Sequence, residues 1–158
     1  MNSRYATMAI FLLLVIFAAY VSGSFEAGVW YFSMTKPAWT PPAWLFGPVW
    51  AILYLLMALA MWKVWISGHA SRNGALIWWL LQLGFNVAWS WLFFGLERTG
   101  WAMLELLFLI GLVILCIRMF LAISRQAALM MVPYLLWLCF AWLLNFSIWR
   151  MNGGSLGF

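Results

Sequence analysis

Three polar side chains recur every four residues within one otherwise apolar stretch of the chain: Gln82, Asn86 and Ser90. Residues four apart lie on the same face of an α-helix, so the three predict a polar stripe, with Trp89 and Phe93 beside it. Lipid offers an amide no hydrogen-bonding partner, so within a membrane this stripe must face protein or a cavity. Amides and hydroxyls at a cavity wall supply oriented hydrogen bonds to a ligand, and we expect that chemistry here.

Two other apolar stretches carry aromatic side chains on matching faces. Trp50 and Tyr54 share one helical face, and Trp137 shares another with Ala141, with Asn145 flanking it. At a helical rise of 1.5 Å per residue, Trp50, Asn86 and Asn145 lie roughly 8 to 14 Å from the same membrane surface. Trp137 lies roughly 20 Å from that surface by the same rule. We therefore expect these residues to line one cavity, with Trp137 at its floor.

A stiff aromatic segment, KPAWTPPAWLFGPVW, occupies residues 36–50 and holds four of the five prolines. Proline fixes φ and removes an amide donor, so PAWTPPAW is not ordinary helix interior. It belongs to the first connection, residues 24–43, which is much longer than the others. Long loops in compact domains are usually functional, so we expect a lid, with Trp39 and Trp44 over the bundle and Lys36 at the cavity mouth. An interfacial linker without a binding role is the alternative.

These residues must be positioned by membrane-spanning helices. The 158-residue chain is 68% apolar and only 7% charged, whereas a soluble domain carries about a quarter charged residues. Apolar runs long enough to cross a bilayer cover residues 6–23, 44–66, 75–96, 101–123 and 127–149. The sequence predicts an all-α membrane protein, a bundle of five transmembrane helices with a long Pro/Trp-rich first loop, forming one domain over residues 1–158. Short links elsewhere predict that helices adjacent in sequence pack antiparallel. A cleaved signal peptide is the alternative for the first run.

The eight basic residues are scattered singly, so the sequence offers no nucleic-acid surface. Five of them fall on the side of the N-terminus and three on the side of the proline segment, which places the N-terminus in the cytoplasm. We expect a multi-pass protein of the bacterial cell membrane, in contact with membrane lipid, with the outer membrane left open. Gly84 and Ala88 form a small-residue pair on the third run, which either packs within the bundle or forms a homodimer contact.

The sequence shows no cluster of residues suited to hydrolytic catalysis or to metal binding. It has no aspartate and three widely separated glutamates, and its one histidine, His69, lies in a loop on the side opposite the cavity mouth. We expect neither a metal nor a cofactor. Glu105 is the only carboxyl that a small proton-coupled transporter could use. We expect its side chain to reach the membrane interface near Trp101, and a transporter or a purely partner-binding protein stays an alternative.

The motifs of the chain are similar to those of the translocator protein family, called tryptophan-rich sensory protein (TspO) in bacteria and peripheral benzodiazepine receptor in animals. The matching segments, in the family's order and spacing, are Trp30-Tyr31 with residues 36–42, Gly47-Pro48-Val49-Trp50 with Tyr54, Gln82 with Asn86 and Trp89-Ser90, Phe93-Phe94-Gly95, Pro133-Tyr134 with Trp137, and Leu144-Asn145. They cover nearly the whole chain.

The resemblance implies a five-helix membrane protein, usually dimeric, that binds tetrapyrroles such as protoporphyrin IX as ligands. It also implies roles in porphyrin sensing, transport or light-dependent breakdown, and, in animal members, binding of cholesterol and of isoquinoline and benzodiazepine-type drugs. Carried over by position, the family's ligand site comprises Tyr31, Pro41, Trp50, Asn86, Trp89, Trp137 and Ala141. Trp50 and Trp137 match the tryptophans implicated in porphyrin photodegradation, so any catalysis would be photochemical. The family's cholesterol motif requires a tyrosine where this chain has Phe146, which weighs against the alternative of sterol or lipid binding.

Overall fold

The computed structural model describes residues 3–25 and 27–154, which are helical between short connections and contain no β-strand. The elements are α1 (Ser3–Gly23), α2 (Val29–Ser33), α3 (Ala43–Ile66), α4 (Arg72–Ser90), a π-helical turn (Trp91–Gly95), α5 (Thr99–Leu121) and α6 (Arg125–Met151). All of the α-helices except α2 are long and apolar enough to span a membrane. The prediction of an all-α fold with five spanning helices is confirmed.

The five spanning helices close a ring in the order α1, α3, α6, α5, α4, with α4 returning to α1. Of the three pairs of spanning helices that short links join, α4 with α5 and α5 with α6 are ring neighbours, as expected. The pair α3 and α4 differs, because these helices meet across the interior and pack together less extensively. The fully buried Trp79 of α4 joins the two helices there, since its indole Nε1 donates a hydrogen bond to the Met57 carbonyl of α3 at 3.1 Å.

The connection from α1 to α3 lies over one end of the ring. It contains α2 and then an extended segment that ends at Pro42, the N-cap of α3. We call residues 28–42 the roof. The Trp39 ring packs edge-on against Phe140 of α6, with ring centroids 5.9 Å apart, whereas Trp44 is 72% exposed. The contact with Phe140 is consistent with the expectation that Trp39 lies over the bundle, and no ring contact is found for Trp44 in the part of the chain that the structure describes.

A π-helical turn ends the third span beneath the roof. The Leu96 amide donates to the Trp91 carbonyl at 2.8 Å, five residues back, which widens the helix by one residue in that turn. Tyr31 of the roof packs edge-on against the consecutive rings of Phe93 and Phe94, at centroid distances of 6.1 and 5.5 Å. The π-turn thus presents two neighbouring aromatic rings to the same roof residue.

Candidate functional site

A cavity of about 640 Å³ lies between the roof and four of the spanning helices, α1, α3, α4 and α6. Pockets that bind small molecules usually measure about 300 to 1,000 Å³ and have mostly apolar walls with a few polar groups. The predicted site residues that line this cavity are Tyr31, Pro41, Trp50, Tyr54, Asn86, Trp89, Ser90, Trp137 and Ala141. The structure therefore brings together side chains from the roof and from three separate spans.

Three indoles form the aromatic walls, and other rings hold each of them in place. The Trp50 ring lies 5.5 Å from that of Tyr54, one turn further along α3. Trp137 of α6 meets the edge of Phe46 at 5.8 Å, and Trp89 of α4 lies against the Phe93 ring of the π-turn at 5.2 Å. These contacts fix the orientation of the three indoles that line the cavity.

A hydrogen-bonded chain of three buried side chains lies at the inner end of the cavity. The Tyr54 hydroxyl donates to Asn86 Oδ1 at 2.7 Å, and Asn86 Nδ2 donates to the Tyr134 hydroxyl at 3.1 Å. The three side chains come from α3, α4 and α6, so the chain ties three helices together. These two bonds use half of the hydrogen-bonding capacity of the Asn86 amide, and Asn86 lines the cavity.

The roof contributes one positive charge to the cavity lining. Lys36 Nζ lies 4.6 Å above the centre of the Tyr31 ring and donates a hydrogen bond to the Met34 carbonyl at 3.1 Å. Burial raises the pKa of the Tyr31 phenol, and the face of this neutral aromatic ring attracts the ammonium group. Lys36 is therefore held at the cavity mouth, where a ligand carboxylate could pair with it.

Two of the predicted site residues do not line the cavity. Gln82 is fully buried one turn below Asn86, where its Nε2 lies 3.8 Å from Met57 Sδ. Asn145 Nδ2 donates to the Thr99 carbonyl at 2.9 Å and so joins α6 to the first residue of α5. The expectation that these two amides face the cavity is wrong, because the nitrogen of each amide is directed at a partner on another helix and neither residue lines the cavity.

Several cavity residues were missed by the sequence prediction. The lining also includes Ala19, Ser22 and Gly23 at the end of α1, and Gly47 and Ala51 of α3. Ala19, Ser22 and Gly23 are all small. Because Ser22 and Gly23 follow Ala19 by three and four residues, the sequence indicates that they share one face of a helix. Tyr134 does not line the cavity, but its hydroxyl accepts from Asn86 at the inner end, and its place three residues before Trp137 on one face of α6 could have been found by the same rule.

Glu105 lies in the protein interior, contrary to expectation. Neither of its carboxyl oxygens is exposed, and neither forms a hydrogen bond with the described residues. The expectation that this side chain reaches the interface near Trp101 is wrong, because α5 turns Glu105 to the side of its buried residues Leu109 and Leu112. An unpaired carboxylate in such a place costs several kcal/mol, and Glu105 remains the carboxyl on which the alternative of a proton-coupled transporter depends.

The Gly84 and Ala88 pair faces outward from the bundle. It lies in an apolar groove of about 390 Å³ on α4, lined by Ile77, Leu80, Leu81, Gly84, Phe85 and Ala88. A Cβ atom added at Gly84 would meet no atom within 4 Å. Of the two alternatives for this pair, packing within the bundle is therefore wrong.

Comparison with known proteins identifies the family. A sequence model described as the TspO/MBR family matches residues 7–150. Protein CrtK of Rhodobacter capsulatus is 40% identical over 135 residues, which cover 83% of each chain. Tryptophan-rich protein TspO of Chlorobaculum tepidum is 34% identical over 96% of this chain and 99% of its own. The human translocator protein is 37% identical over 81% of this chain and 78% of its own. With an aromatic, roofed cavity in a five-helix ring and these relatives along its length, this chain belongs to the TspO/MBR family.

Proposed function

We propose that this integral multi-pass membrane protein binds a tetrapyrrole such as protoporphyrin IX in the roofed cavity. Its role is then the sensing, transport or light-dependent breakdown of that ligand. We place it in a bacterial cell membrane with the roof on the outer side, because five of its eight basic residues fall at the opposite side. The observation that carries the proposal is the convergence of Trp50, Trp89 and Trp137 on one cavity that Asn86 and Lys36 also line.

The chemistry of a porphyrin matches this lining. Its macrocycle is flat and apolar, and each stacked aromatic pair contributes about 0.5–1.5 kcal/mol beyond the burial of area. Its two propionates are anionic, and Lys36 is the cation at the roof. Asn86, at the inner end, and Ser90, one turn nearer the roof, supply polar contacts. The same walls suit the flat apolar rings of isoquinoline and benzodiazepine-type drugs, so we propose these as competing ligands.

Filling the cavity is the direct test of binding. Protoporphyrin IX should quench tryptophan fluorescence saturably in the wild type. The substitution Ala141→Phe should raise the Kd by about tenfold or more, because a phenyl ring overfills a preformed cavity. The matched control is Leu143→Phe, two residues along α6, where the side chain is 52% exposed on the outer surface. Equal affinity for the wild type and Ala141→Phe would place the ligand elsewhere.

We also propose that the protein is a homodimer through the groove around Gly84 and Ala88. Small residues allow two helix backbones to approach closely in a membrane, and Gly84 has open space beside it. The substitution Ala88→Phe should shift a detergent-solubilised dimer towards monomer by about tenfold in dissociation constant, because the ring blocks this approach. Light scattering coupled to size exclusion measures the shift, with Leu143→Phe as the control. An unchanged dimer population in Ala88→Phe would assign the contact to another face.

A further inference from the structure

The side chain of Asn152 forms a two-point hydrogen-bonded contact with the roof. The Thr35 amide donates to Asn152 Oδ1 at 3.0 Å, and Asn152 Nδ2 donates to the Thr35 carbonyl at 2.9 Å. One side-chain amide thus satisfies both backbone groups of a residue 117 positions away, in the manner of a strand pairing. The contact joins the middle of the roof to the end of α6.

The helix end that carries Asn152 is itself firmly closed. Asn152 is the C-cap of α6, and Nδ2 also donates to the Ile148 carbonyl at 2.7 Å. Gly153 follows with φ of 102°, and the Gly154 amide returns to the Trp149 carbonyl at 3.0 Å. This is the backbone pattern of a Schellman motif, in which glycine takes the positive φ that other residues disfavour. Asn152 is therefore a fixed anchor, and the roof is the part that can move.

Thr35 occupies the position in the roof where an anchor has the greatest effect. It lies between Tyr31 and Phe32 on one side and Lys36 on the other, and all three line the cavity. Edge-on ring contacts hold the roof on either side of it, from Tyr31 to Phe94 and from Trp39 to Phe140. Ring contacts tolerate sliding, whereas the paired bonds to Asn152 fix both distance and direction.

We propose that Asn152 is the latch that holds the roof closed over the cavity and thereby sets the rate at which a ligand passes between the water and the site. Asn152 and Thr35 are both exposed, so water can replace their two bonds and the latch can open without unfolding a helix. Asn152 does not line the cavity, so it is a positioning residue that acts through the roof. The part of this inference that concerns ligand passage rests on the proposed tetrapyrrole binding.

Amide hydrogen exchange tests the latch without any ligand. In the wild type the Thr35 amide should be protected. The substitution Asn152→Ala should raise its exchange rate about tenfold, because the two side-chain bonds are lost. The backbone bonds of the α6 terminus should persist, so the thermal unfolding midpoint should stay near that of the wild type. Asn152→Asp keeps an acceptor for the Thr35 amide and should give a smaller rise, and Asn73→Ala, at an exposed asparagine in the first turn of α4, should give none.

Stopped-flow quenching with protoporphyrin IX tests the consequence for ligand passage. Asn152→Ala should raise the association and dissociation rate constants together by about tenfold, with a change in Kd of less than about threefold, because a latch alters the barrier more than the bound state. Unchanged Thr35 exchange in Asn152→Ala overturns the latch. Faster exchange with unchanged rate constants overturns the roof as the route of the ligand. If the wild type binds no porphyrin, the proposed function fails, and the exchange experiment alone decides whether Asn152 closes the roof.

Discussion

Replacing Asn86 with leucine is expected to raise the Kd for protoporphyrin IX at least about tenfold and to lower the free energy of unfolding by roughly 2–4 kcal/mol. The amide accepts from the Tyr54 hydroxyl at 2.7 Å and donates to that of Tyr134 at 3.1 Å. Leucine leaves both phenols without these partners, and Tyr134 is fully buried. Each buried polar group left unpaired costs about 1–3 kcal/mol. Porphyrin titration and thermal unfolding in detergent measure the two effects.

Gln82→Leu is the matched control for this prediction. Gln82 belongs to the same polar stripe and lies one helical turn from Asn86, but it does not line the cavity. Its Oε1 has no hydrogen-bonding partner among the described residues. We therefore expect Gln82→Leu to bind porphyrin like the wild type and to be at least as stable. Combining Asn86→Leu with Tyr134→Phe should recover part of the lost stability, since the unpaired hydroxyl is removed. An affinity in Asn86→Leu equal to that in Gln82→Leu would remove Asn86 from the ligand site.

Under illumination with protoporphyrin IX, Trp50→Phe and Trp137→Phe are each expected to slow the loss of the Soret band by about tenfold. Both indoles line the cavity, on α3 and α6 respectively. A photoexcited porphyrin either takes one electron from a nearby indole, leaving an indolyl cation radical and a ring anion radical, or transfers its excitation to dioxygen. Phenylalanine retains an aromatic wall but is much harder to oxidise than indole. Binding in the dark should therefore change less than the photochemical rate.

The control for this pair is Trp91→Phe. Trp91 begins the π-turn, one residue after α4, but it is 46% exposed and does not line the cavity. The variant Trp91→Phe should therefore bleach porphyrin at the wild-type rate. Removing oxygen separates the two photochemical routes, because only indole oxidation can begin without it. If Trp50→Phe and Trp137→Phe both bleach the porphyrin as fast as Trp91→Phe does, neither indole takes part in the photochemistry. The protein then binds porphyrin without catalysing its breakdown through these residues.

The sequence was sufficient for the spans and for the main aromatic and polar side chains of the cavity lining. Apolar length is a local property, so residues 44–66 predicted α3, which runs from Ala43 to Ile66. Four-residue spacing is also local, and it correctly placed Asn86 and Ser90 on one face. The same rule also predicted that Gln82 lines the cavity, and that prediction is wrong. Gln82 lies one turn further along the helix, beyond the inner end of the cavity, where it contacts Met57.

What the sequence by itself determined is which residues form the spanning helices and which of them share a helix face. The tertiary structure alone decided which face turns inward, as for Glu105, and that α3 and α4 meet across the ring. It also decided that Thr35 meets Asn152. The physical reason is that these helices are apolar on all sides, so hydrophobic periodicity gives no direction towards the core. Direction is fixed by contacts between helices and between the roof and α6, and such contacts depend on residues far apart in the chain.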